Sequence, residues 1–316
     1  MHKICMLTVS AVSICLEGCG IRPLPQDVTK YNTSDIVRHI RCETREAIKH
    51  QLIAWLEDRG KHGDPAAIRV AQDIRDKKDP RKIIYDGLKP DTVYAIGLFA
   101  QTVVAYAFTF DMTVASNNTF GMNFLDTLHS GAKNTLGIGA GMNLSRNNIR
   151  TLTAADTFAS LYTDVGNNYC DNELKEANYL YPITGKIGMD EQISDFVDNS
   201  IFNSLAGKDG STSGPETEAD SLDFETVVTG NINPKITLAG ASGLTDVSYI
   251  GSITRTDKHK VIIGFSLPVG GKGSADVKEF VGKYISGSGD ATMRRAYRVI
   301  DQAKQDQLLS RAIVLN

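Results

Sequence analysis

The chain has 316 residues, of which 41% are hydrophobic and 22% are charged, and its formal net charge is −3 at an isoelectric point near 6.1. This length is enough for one large domain or two smaller ones, each with a buried core. The weak negative charge gives no reason to expect nucleic acid or another anionic surface as a partner, so we predict no nucleic-acid binding.

A short apolar run lies at the amino terminus, between Lys3 and the stretch Leu16-Glu17-Gly18-Cys19. The run from Ile4 to Leu16 has the size of a signal peptide and is well short of the roughly 20 apolar residues that a spanning helix needs. The stretch that ends at Cys19 resembles the lipobox of bacterial lipoprotein precursors. It departs from the usual pattern at Glu17, where most lipoboxes have a small or β-branched residue.

This resemblance implies that residues 1–18 are removed and that Cys19 becomes a lipidated first residue. A chain modified in this way is held in a membrane by its acyl chains. Gly20 follows Cys19 where an Asp would signal retention, so the family's sorting pattern favours the bacterial outer membrane, with the domain facing the periplasm or exposed at the surface. An ordinary cleaved signal peptide is the alternative interpretation.

The lipoprotein resemblance accounts for three of the five cysteines. Cys5 and Cys15 leave with the signal peptide, and Cys19 carries the lipid. An even pair that remains in an oxidising compartment predicts one disulfide, between Cys42 and Cys170. Two unrelated buried thiols are the alternative.

The mature chain is predicted to start with a tether over 19–32, which reads as extended because of its prolines, and to continue as a helical region over 33–102. Thr33 or Ser34 is the expected N-cap of the first helix, since apolar residues recur at helical spacing from Ile36 onward. Three later prolines each mark the start of a shorter helical segment: Pro65, Pro80 and Pro90.

From Val103 the apolar residues alternate, which indicates strands. Polar groups of residues divide the alternation, and we interpret them as turns: Ser116-Asn117-Asn118, Arg146-Asn147-Asn148 and Asp257–Lys260. The prediction is an antiparallel β region over 103–268 with about seven strands, strongly curved or barrel-like. The aromatic residues of its first strand are expected to pack in a core instead of facing lipid: Tyr106, Phe108 and Phe110.

The β region is predicted to contain further elements after its fourth strand. They are a short strand over Pro182–Gly188, an inserted helix over Met189–Phe202 and a mobile loop over 207–221. C-terminal helices follow over 269–316. The fold class is therefore α+β, with helices at both ends of a central antiparallel sheet.

Two glycine-rich stretches resemble nucleotide-binding loops only in part. Gly137-Ile138-Gly139-Ala140-Gly141 lacks the spacing of a dinucleotide loop and continues the strand alternation. Val269–Ser274 lacks the glycine spacing of a phosphate loop. We therefore predict no cofactor.

The histidines include no pair at the helical spacing of a zinc protease: His39, His50, His62, His129 and His259. His39 and Cys42 are three residues apart, but no second ligand pair accompanies them. No serine lies in a nucleophile elbow, and this includes Ser34, Ser130 and Ser145. The acidic residues of the inserted helix are expected on a solvated face: Asp190, Glu191 and Asp195. We predict no metal ligand and no catalytic residue.

Three functions remain open. The one that the sequence favours is a lipid-anchored cell-envelope protein without enzymatic activity, which binds a protein partner or a small apolar ligand or serves as a scaffold. The second is a subunit of an envelope assembly or secretion channel. An exposed sheet edge or an exposed apolar strand face would support this function. The third is a hydrolase whose site is assembled from distant residues, which requires a deep pocket with a histidine or carboxylate pair.

Overall fold

The computed structural model describes residues 22–76, 79–127, 133–170, 181–202, 217–237, 243–268 and 289–314. Within these residues the fold is α+β with an antiparallel sheet, which confirms the predicted class. The chain divides into two compact units whose residues interleave along the sequence. The sheet unit contains the residues up to Lys30 together with Phe110–Ile149 and Glu225–Lys258. The helical unit contains Tyr31–Thr109, Arg150–Phe224 and the residues from His259 onward.

The α-helices are α1 (Thr33–Lys61), α2 (Pro65–Arg75), α3 (Pro90–Gln101), α4 (Phe158–Thr163), α5 (Asn167–Cys170), α6 (Met189–Val197) and α7 (Gly289–Val314). Short 3₁₀ turns lie at Pro25–Asp27, Pro80–Lys82 and Pro182–Thr184, and a π turn at Asp198–Phe202 continues α6. Helix α6 and its π turn cover the predicted inserted helix, and α7 lies in the described part of the region predicted to hold C-terminal helices. Among the described residues, no helix combines the length and the apolar character needed to cross a membrane.

The first helix begins one residue earlier than predicted, because its N-cap is Asn32 and not Thr33 or Ser34. The Asp35 N–H donates to the Asn32 side chain at 3.0 Å, and the Asn32 N–H donates to the Asp35 carboxylate at 3.1 Å. This reciprocal capping box satisfies two backbone N–H groups that a helix start otherwise leaves free.

The strands are β1 (Val103–Thr127), β2 (Lys133–Thr157), β3 (Thr217–Ile232), β4 (Lys235–Thr237) and β5 (Gly243–Ser266). Their order in the sheet is β2-β1-β5-β3, and β4 also pairs with β5, antiparallel, with Ile236 opposite Val247. The sheet is open, with β2 at one end of the order and β3 at the other. The predictions of about seven strands and of a strongly curved or barrel-like sheet are therefore wrong for the single chain.

The strand count was too high because the polar groups of residues interpreted as turns lie inside continuous strands. The Asn118 amide donates to Ser116 Oγ at 3.0 Å, and the Tyr249 hydroxyl donates to Asn118 Oδ1 at 2.7 Å. The Asn147 amide donates to the Asp111 carboxylate at 2.6 Å. These side chains have hydrogen-bond partners on the same strand or on a neighbouring one, so their polarity does not require the backbone to turn.

Other predicted elements also differ. Pro182–Thr184 forms a 3₁₀ turn where a short strand was expected, and Thr217–Ser221 of the predicted mobile loop belongs to β3. Residues 207–216 and the stretch 269–288 lie outside the described residues.

Aromatic side chains fill the core of the helical unit. Phe265 stacks on Phe196 with ring centroids 5.1 Å apart and meets the edge of Phe158 at 6.4 Å. Tyr106 and Phe108 are buried, as predicted for the first strand. Helix α7 adds two small-to-medium apolar residues to a cluster on the sheet: Ala296 and Ile300 against Val103, Ala105, Ala107 and Ile262. The helical unit therefore has a close-packed core made of helices and strands.

Candidate functional site

The two cysteines left by the lipoprotein interpretation lie together in the helical unit. Cys42 of α1 and Cys170 of α5 form a disulfide, with Cα atoms 5.7 Å apart across 128 residues of sequence. This is the pairing that the sequence predicts. Cys42 is fully buried, because α5 covers the side of α1 that is opposite its apolar face. The disulfide uses both thiols, so Cys42 is not a metal ligand with His39.

A bidentate ion pair lies next to this disulfide in sequence. Arg41 donates to both carboxylate oxygens of Asp156, at 2.9 and 2.7 Å, and to the Tyr169 hydroxyl at 3.1 Å. The hydrogen bond to Asp156 raises the pKa of Arg41 above its already high ordinary value, so the guanidinium stays charged. This group links α1 to the end of β2 and does not exchange protons near neutral pH.

The carboxylate of Glu43 holds the start of α6. It accepts hydrogen bonds from the backbone N–H groups of Ile187, Gly188 and Met189, the shortest at 2.9 Å. Gly188 has a φ of +86°, a conformation that favours glycine. A carboxylate at a helix amino terminus is stabilised by the helix dipole, so we assign Glu43 a structural role.

The described histidines have separate partners. His39 Nε2 lies 3.0 Å from the Gly185 carbonyl oxygen, and His62 Nδ1 lies 2.8 Å from that of Asp58. The exposed ring of His50 pairs with Asp190 at 3.3 Å. His259 is buried and hydrogen bonded to Tyr181. In the part of the chain that the structure describes, no three His, Cys, Asp or Glu side chains are placed to hold a metal ion; His129 lies outside it.

The remaining candidates are not brought together either. Ser34 lies in α1 and Ser145 in β2, while Ser130 and Val269–Ser274 fall outside the described residues. Burial raises the pKa of Glu218 and of Asp220, and the charge of Asp220 on Glu218 and that of Asp195 on both add to the increase. Nothing among the described residues pairs these carboxylates with a nucleophile.

The helical unit contains an apolar cavity, which bears on the hydrolase interpretation. Its lining is aliphatic and aromatic and includes Ile48, Phe99 and Phe158. The polar groups in the lining include the hydroxyls of Tyr85 and Tyr162, and burial raises both pKa values, that of Tyr85 to about 12. Both tyrosines stay protonated at neutral pH, and the described residues of the lining include no histidine or carboxylate pair.

The sheet unit has two chemically different faces. Side-chain hydrogen bonds show which residues share a face: Tyr249 with Asn118 on one, and Asn123 with Asp246 on the other. Because successive side chains of a strand point to opposite faces, these pairs also assign the other strand residues to one face or the other. The apolar face contains Phe120, Met122, Phe124, Leu136, Ile138, Ala140, Met142, Leu144, Val228, Ile232, Ile236, Val247, Tyr249 and Ile253. The polar face contains Thr113, Asn117, Thr119, Asn123, Thr135, Asn143, Asn147, Thr229, Asn231, Lys235, Asp246, Ser248, Ser252 and Thr254.

Both faces have exceptions. Polar residues on the apolar face include Ser116, Asn118, Asp126, Asn134 and Thr245, of which Ser116 and Asn118 are hydrogen bonded to each other. Five large apolar residues lie on the polar face: Leu125, Ile149, Val227, Leu244 and Ile250. The glycines of the stretch that partly resembles a dinucleotide loop also lie on the polar face of β2, next to Asn143: Gly137, Gly139 and Gly141.

The apolar face is exposed in the single chain. Leu136 is 61% exposed, Ile138 and Met142 are each 50% exposed, and Ile253 is 49% exposed. A large contiguous apolar patch on a protein surface marks an interface with another protein or with a membrane. On β2 the band runs over nine residues, from Leu136 to Leu144. A strand of about 9–11 residues is what crosses the hydrocarbon of a bilayer.

A polar cluster bounds the band on the apolar face, and we call its residues the foot cluster: Asn148, Arg255 and Asp257. Arg255 and Asp257 are both buried and are joined by hydrogen bonds from Nε at 2.9 and 3.1 Å. Sequence reasoning missed this cluster. The signal that could have revealed it is an arginine two residues after Leu144 and another two residues after Ile253, each on the same face as the apolar residue before it.

The residues before α1 bind to the foot cluster. Arg255 donates to the Leu24 carbonyl oxygen at 2.6 Å and pairs with Asp27 at 3.3 Å, and Asn148 donates to the Pro23 carbonyl oxygen at 2.8 Å. The predicted extended tether is therefore, in its described part, a turn fixed to the sheet.

Both edges of the sheet unit are unpaired within the described chain. Strand β2 forms one edge, and β3 followed by β4 forms the other. Pro234 lies between β3 and β4 and accepts from the Tyr249 N–H at 3.1 Å. A proline has no N–H to donate, so its place at an edge agrees with the sequence prediction.

Residues 22–279 match a protein family described as uncharacterised protein y4kA. A protein of that description from Sinorhizobium fredii is 33% identical over 270 residues, which are 83% of this chain and 82% of that protein. The chain belongs to the y4kA family.

Two solved structures are similar to this y4kA-family protein at a much lower level. One is the secretin InvG of the Salmonella SPI-1 type III secretion injectisome, with 8% identity and a TM-score of 0.23 over 63% of this chain and 75% of that chain. The other is InvG in an open gate state, with 10% identity and a TM-score of 0.18 over 63% and 70%. Scores this low carry no argument about fold or function.

Proposed function

We propose that this y4kA-family protein is a lipid-anchored subunit of a channel in a bacterial outer membrane. In this proposal the sheets of several copies join edge to edge and form one closed wall of strands. The observation that carries it is that a single uncovered sheet has an apolar face and a polar face. Of the three functions left open by the sequence, this is the second.

The two faces separate this proposal from a scaffold or a ligand-binding sheet. A sheet that packs on helices hides its apolar face, because each buried Leu, Ile or Phe contributes roughly 1.5–3 kcal/mol. Here the apolar face is exposed while the opposite face has mainly Asn, Thr, Ser and Gly, with five large apolar residues among them. This is the alternation of a wall that has lipid on one side and a water-filled interior on the other.

The edges support assembly into a ring. Strands β2 and β3 run in opposite directions, since three antiparallel pairings separate them in the order β2-β1-β5-β3. The β2 edge of one copy therefore suits the β3 edge of the next as a further antiparallel pair. Contacts between two different edges repeat head to tail and close into a ring when the rotation allows it. Closure also removes the open edges that a bilayer does not tolerate.

Targeting to the outer membrane is part of the same proposal. Removal of residues 1–18 and lipidation of Cys19, both outside the described residues, would deliver the chain to the outer membrane. The closed sheet that the sequence predicts for one chain is proposed here for the ring.

A matched pair of substitutions tests the proposal. Met142 and Asn143 are neighbours on β2 and lie on opposite faces. Met142→Lys places a charge on the lipid side, which costs about 2–4 kcal/mol near the middle of a bilayer, whereas Asn143→Lys places it in the aqueous interior. We expect Met142→Lys to abolish membrane-inserted rings and Asn143→Lys to keep them, as measured by crosslinking in membranes and by electron microscopy of detergent extracts.

The result that would contradict the proposal is equal ring formation by both variants, or an unmodified protein that forms no ring. A monomer that binds an apolar ligand in detergent would support the scaffold and binding function instead.

A further inference from the structure

The segment Pro23–Asp27 is built as a compact turn. The Asp27 N–H donates to the Leu24 carbonyl oxygen at 3.1 Å, and the Leu24 N–H donates to the Asp27 carboxylate at 2.7 Å. Val28 N–H donates to the Pro25 carbonyl oxygen at 3.1 Å, and Pro25 itself is buried. A segment that only linked a lipid to a folded body would not need reciprocal hydrogen bonds or two prolines that stiffen it.

Arg255 connects this turn to the sheet. Its guanidinium uses one side for Asp257 and the other for the Leu24 carbonyl oxygen and the Asp27 carboxylate. Arg255 is only 8% exposed and Asp257 only 1% exposed. A buried guanidinium is stable only when its donors are satisfied, so the turn completes a site that Asp257 alone leaves incomplete.

The place of this contact limits where the lipid can lie. Asn148 and Arg255 follow the apolar band on the same face, so the turn is bound where the band ends. Four residues lead from Cys19 to Pro23, and a fully extended chain covers at most about 14 Å over that length. Acyl chains on Cys19 must therefore enter a bilayer close to the end of the apolar band.

We propose that Pro23–Asp27 is a clasp that joins the lipid anchor to the foot of the apolar face, and that this coupling orients each subunit for ring formation. The inference rests on the proposed function, because it assumes lipidation at Cys19 and insertion of the apolar face. With the clasp in place, the lipid and the apolar band enter the same leaflet at the same boundary. Every subunit then lies at the same depth in the bilayer, so the β2 edge of one copy and the β3 edge of the next are aligned for pairing.

Two insertions of one linker test the clasp. A 12-residue Gly/Ser linker between Arg22 and Pro23 separates the lipid from the clasp, whereas the same linker between Lys30 and Tyr31 leaves the lipid, clasp and sheet connected. The first insertion lengthens the path from Cys19 to Pro23 fourfold, which lowers the effective concentration of the lipid at the foot by about eightfold. We expect ring yield in membranes to fall by about that factor for the first insertion and to change less than about twofold for the second.

A second readout does not depend on rings. Ile253 is half exposed on the apolar face, two residues from Arg255, and Ile253→Cys accepts a fluorescent label. Nitroxide lipids that quench near the headgroups should quench this label in the unmodified background and with the Lys30/Tyr31 linker. Quenching should be lost with the Arg22/Pro23 linker, while membrane retention and thermal midpoint stay equal in the two linker variants.

Equal quenching in the two linker variants would overturn the clasp, whatever the ring yield. An unmodified protein without rings that still shows the expected difference in quenching would refute the channel and leave the clasp standing. Equal loss of rings and of quenching in both variants would also contradict the clasp, since the second linker leaves it intact.

Discussion

The two units use the same strands in opposite ways. In the first part of β1, Tyr106 and Phe108 are buried among the aromatic residues of the helical unit. In the second part of the same strand, Phe120 continues the same alternation but is 40% exposed, and Leu136 and Ile138 of β2 are more exposed still. An identical sequence period therefore serves a protein core in one unit and an uncovered face in the other. The comparison teaches that alternation identifies the apolar face of a strand but not the medium that the face meets.

The largest expected effect concerns delivery to the membrane. Cys19→Ser removes the proposed lipid and should move the protein out of the membrane fraction, because stable anchoring requires at least two hydrophobic signals and the acyl chains supply them. The thermal midpoint of the helical unit should not change, since Cys19 is not part of it. Fractionation, with mass determination of the mature amino terminus, measures both. Equal membrane retention of the Ser variant would refute lipidation.

A pair of core and surface substitutions, one in each unit, should differ in their effect on the free energy of unfolding. Phe265→Ala removes a fully buried ring that stacks on Phe196, and it should lower the free energy of unfolding by about 3–5 kcal/mol. Ile138→Ala on the apolar face should change it by less than about 0.5 kcal/mol in detergent, as for other surface positions. Denaturant unfolding of the detergent-solubilised protein measures both. Similar losses for the two variants would mean that the apolar face is covered within the single chain.

The smallest expected effect is a pH dependence confined to the helical unit. Burial raises the pKa of Glu218 and Asp220, with additions from the charge of Asp220 on Glu218 and of Asp195 on both. The folded chain therefore holds more protons than the unfolded chain just above the ordinary carboxyl pKa of about 4. These groups therefore favour folding below that pH, and their contribution is lost as the pH rises through the folded pKa.

The double variant Glu218→Gln, Asp220→Asn should thus be more stable than the unmodified protein at pH 7, by about 0.5 kcal/mol or less because solvent screens half-buried charges. The gain should vanish near pH 3.5. Unfolding curves at the two pH values measure it, and a gain of equal size at both would contradict the assigned cause.

Much of the helical unit could be predicted from the sequence, because its signals are local. Helices α1, α2 and α3 follow a cap or a proline and show helical spacing, and the disulfide was predicted by counting the cysteines that remain once the lipobox resemblance is assumed. The N-cap was misplaced by one residue because Asn32, Thr33 and Ser34 are all good caps. Only the position of Asp35, three residues after Asn32, decides among them.

The sheet unit was predicted less well, since its long strands depend on partners far away in sequence. Asn118 and Asn147 look like turn residues until Tyr249 and Asp111 are placed beside them. The foot cluster is also non-local, because Arg255 joins Asp257 to Leu24, more than 200 residues earlier. No sequence pattern within one strand contains that information.

The central claim is that copies of this chain close into a ring through their sheet edges. Its most direct test is electron microscopy of the full-length protein extracted from outer membranes in mild detergent, combined with conductance across a planar bilayer. The account predicts closed rings with one symmetry axis, an apolar belt that binds detergent and a stable conductance that Met142→Lys abolishes. Monodisperse single chains without conductance would contradict it.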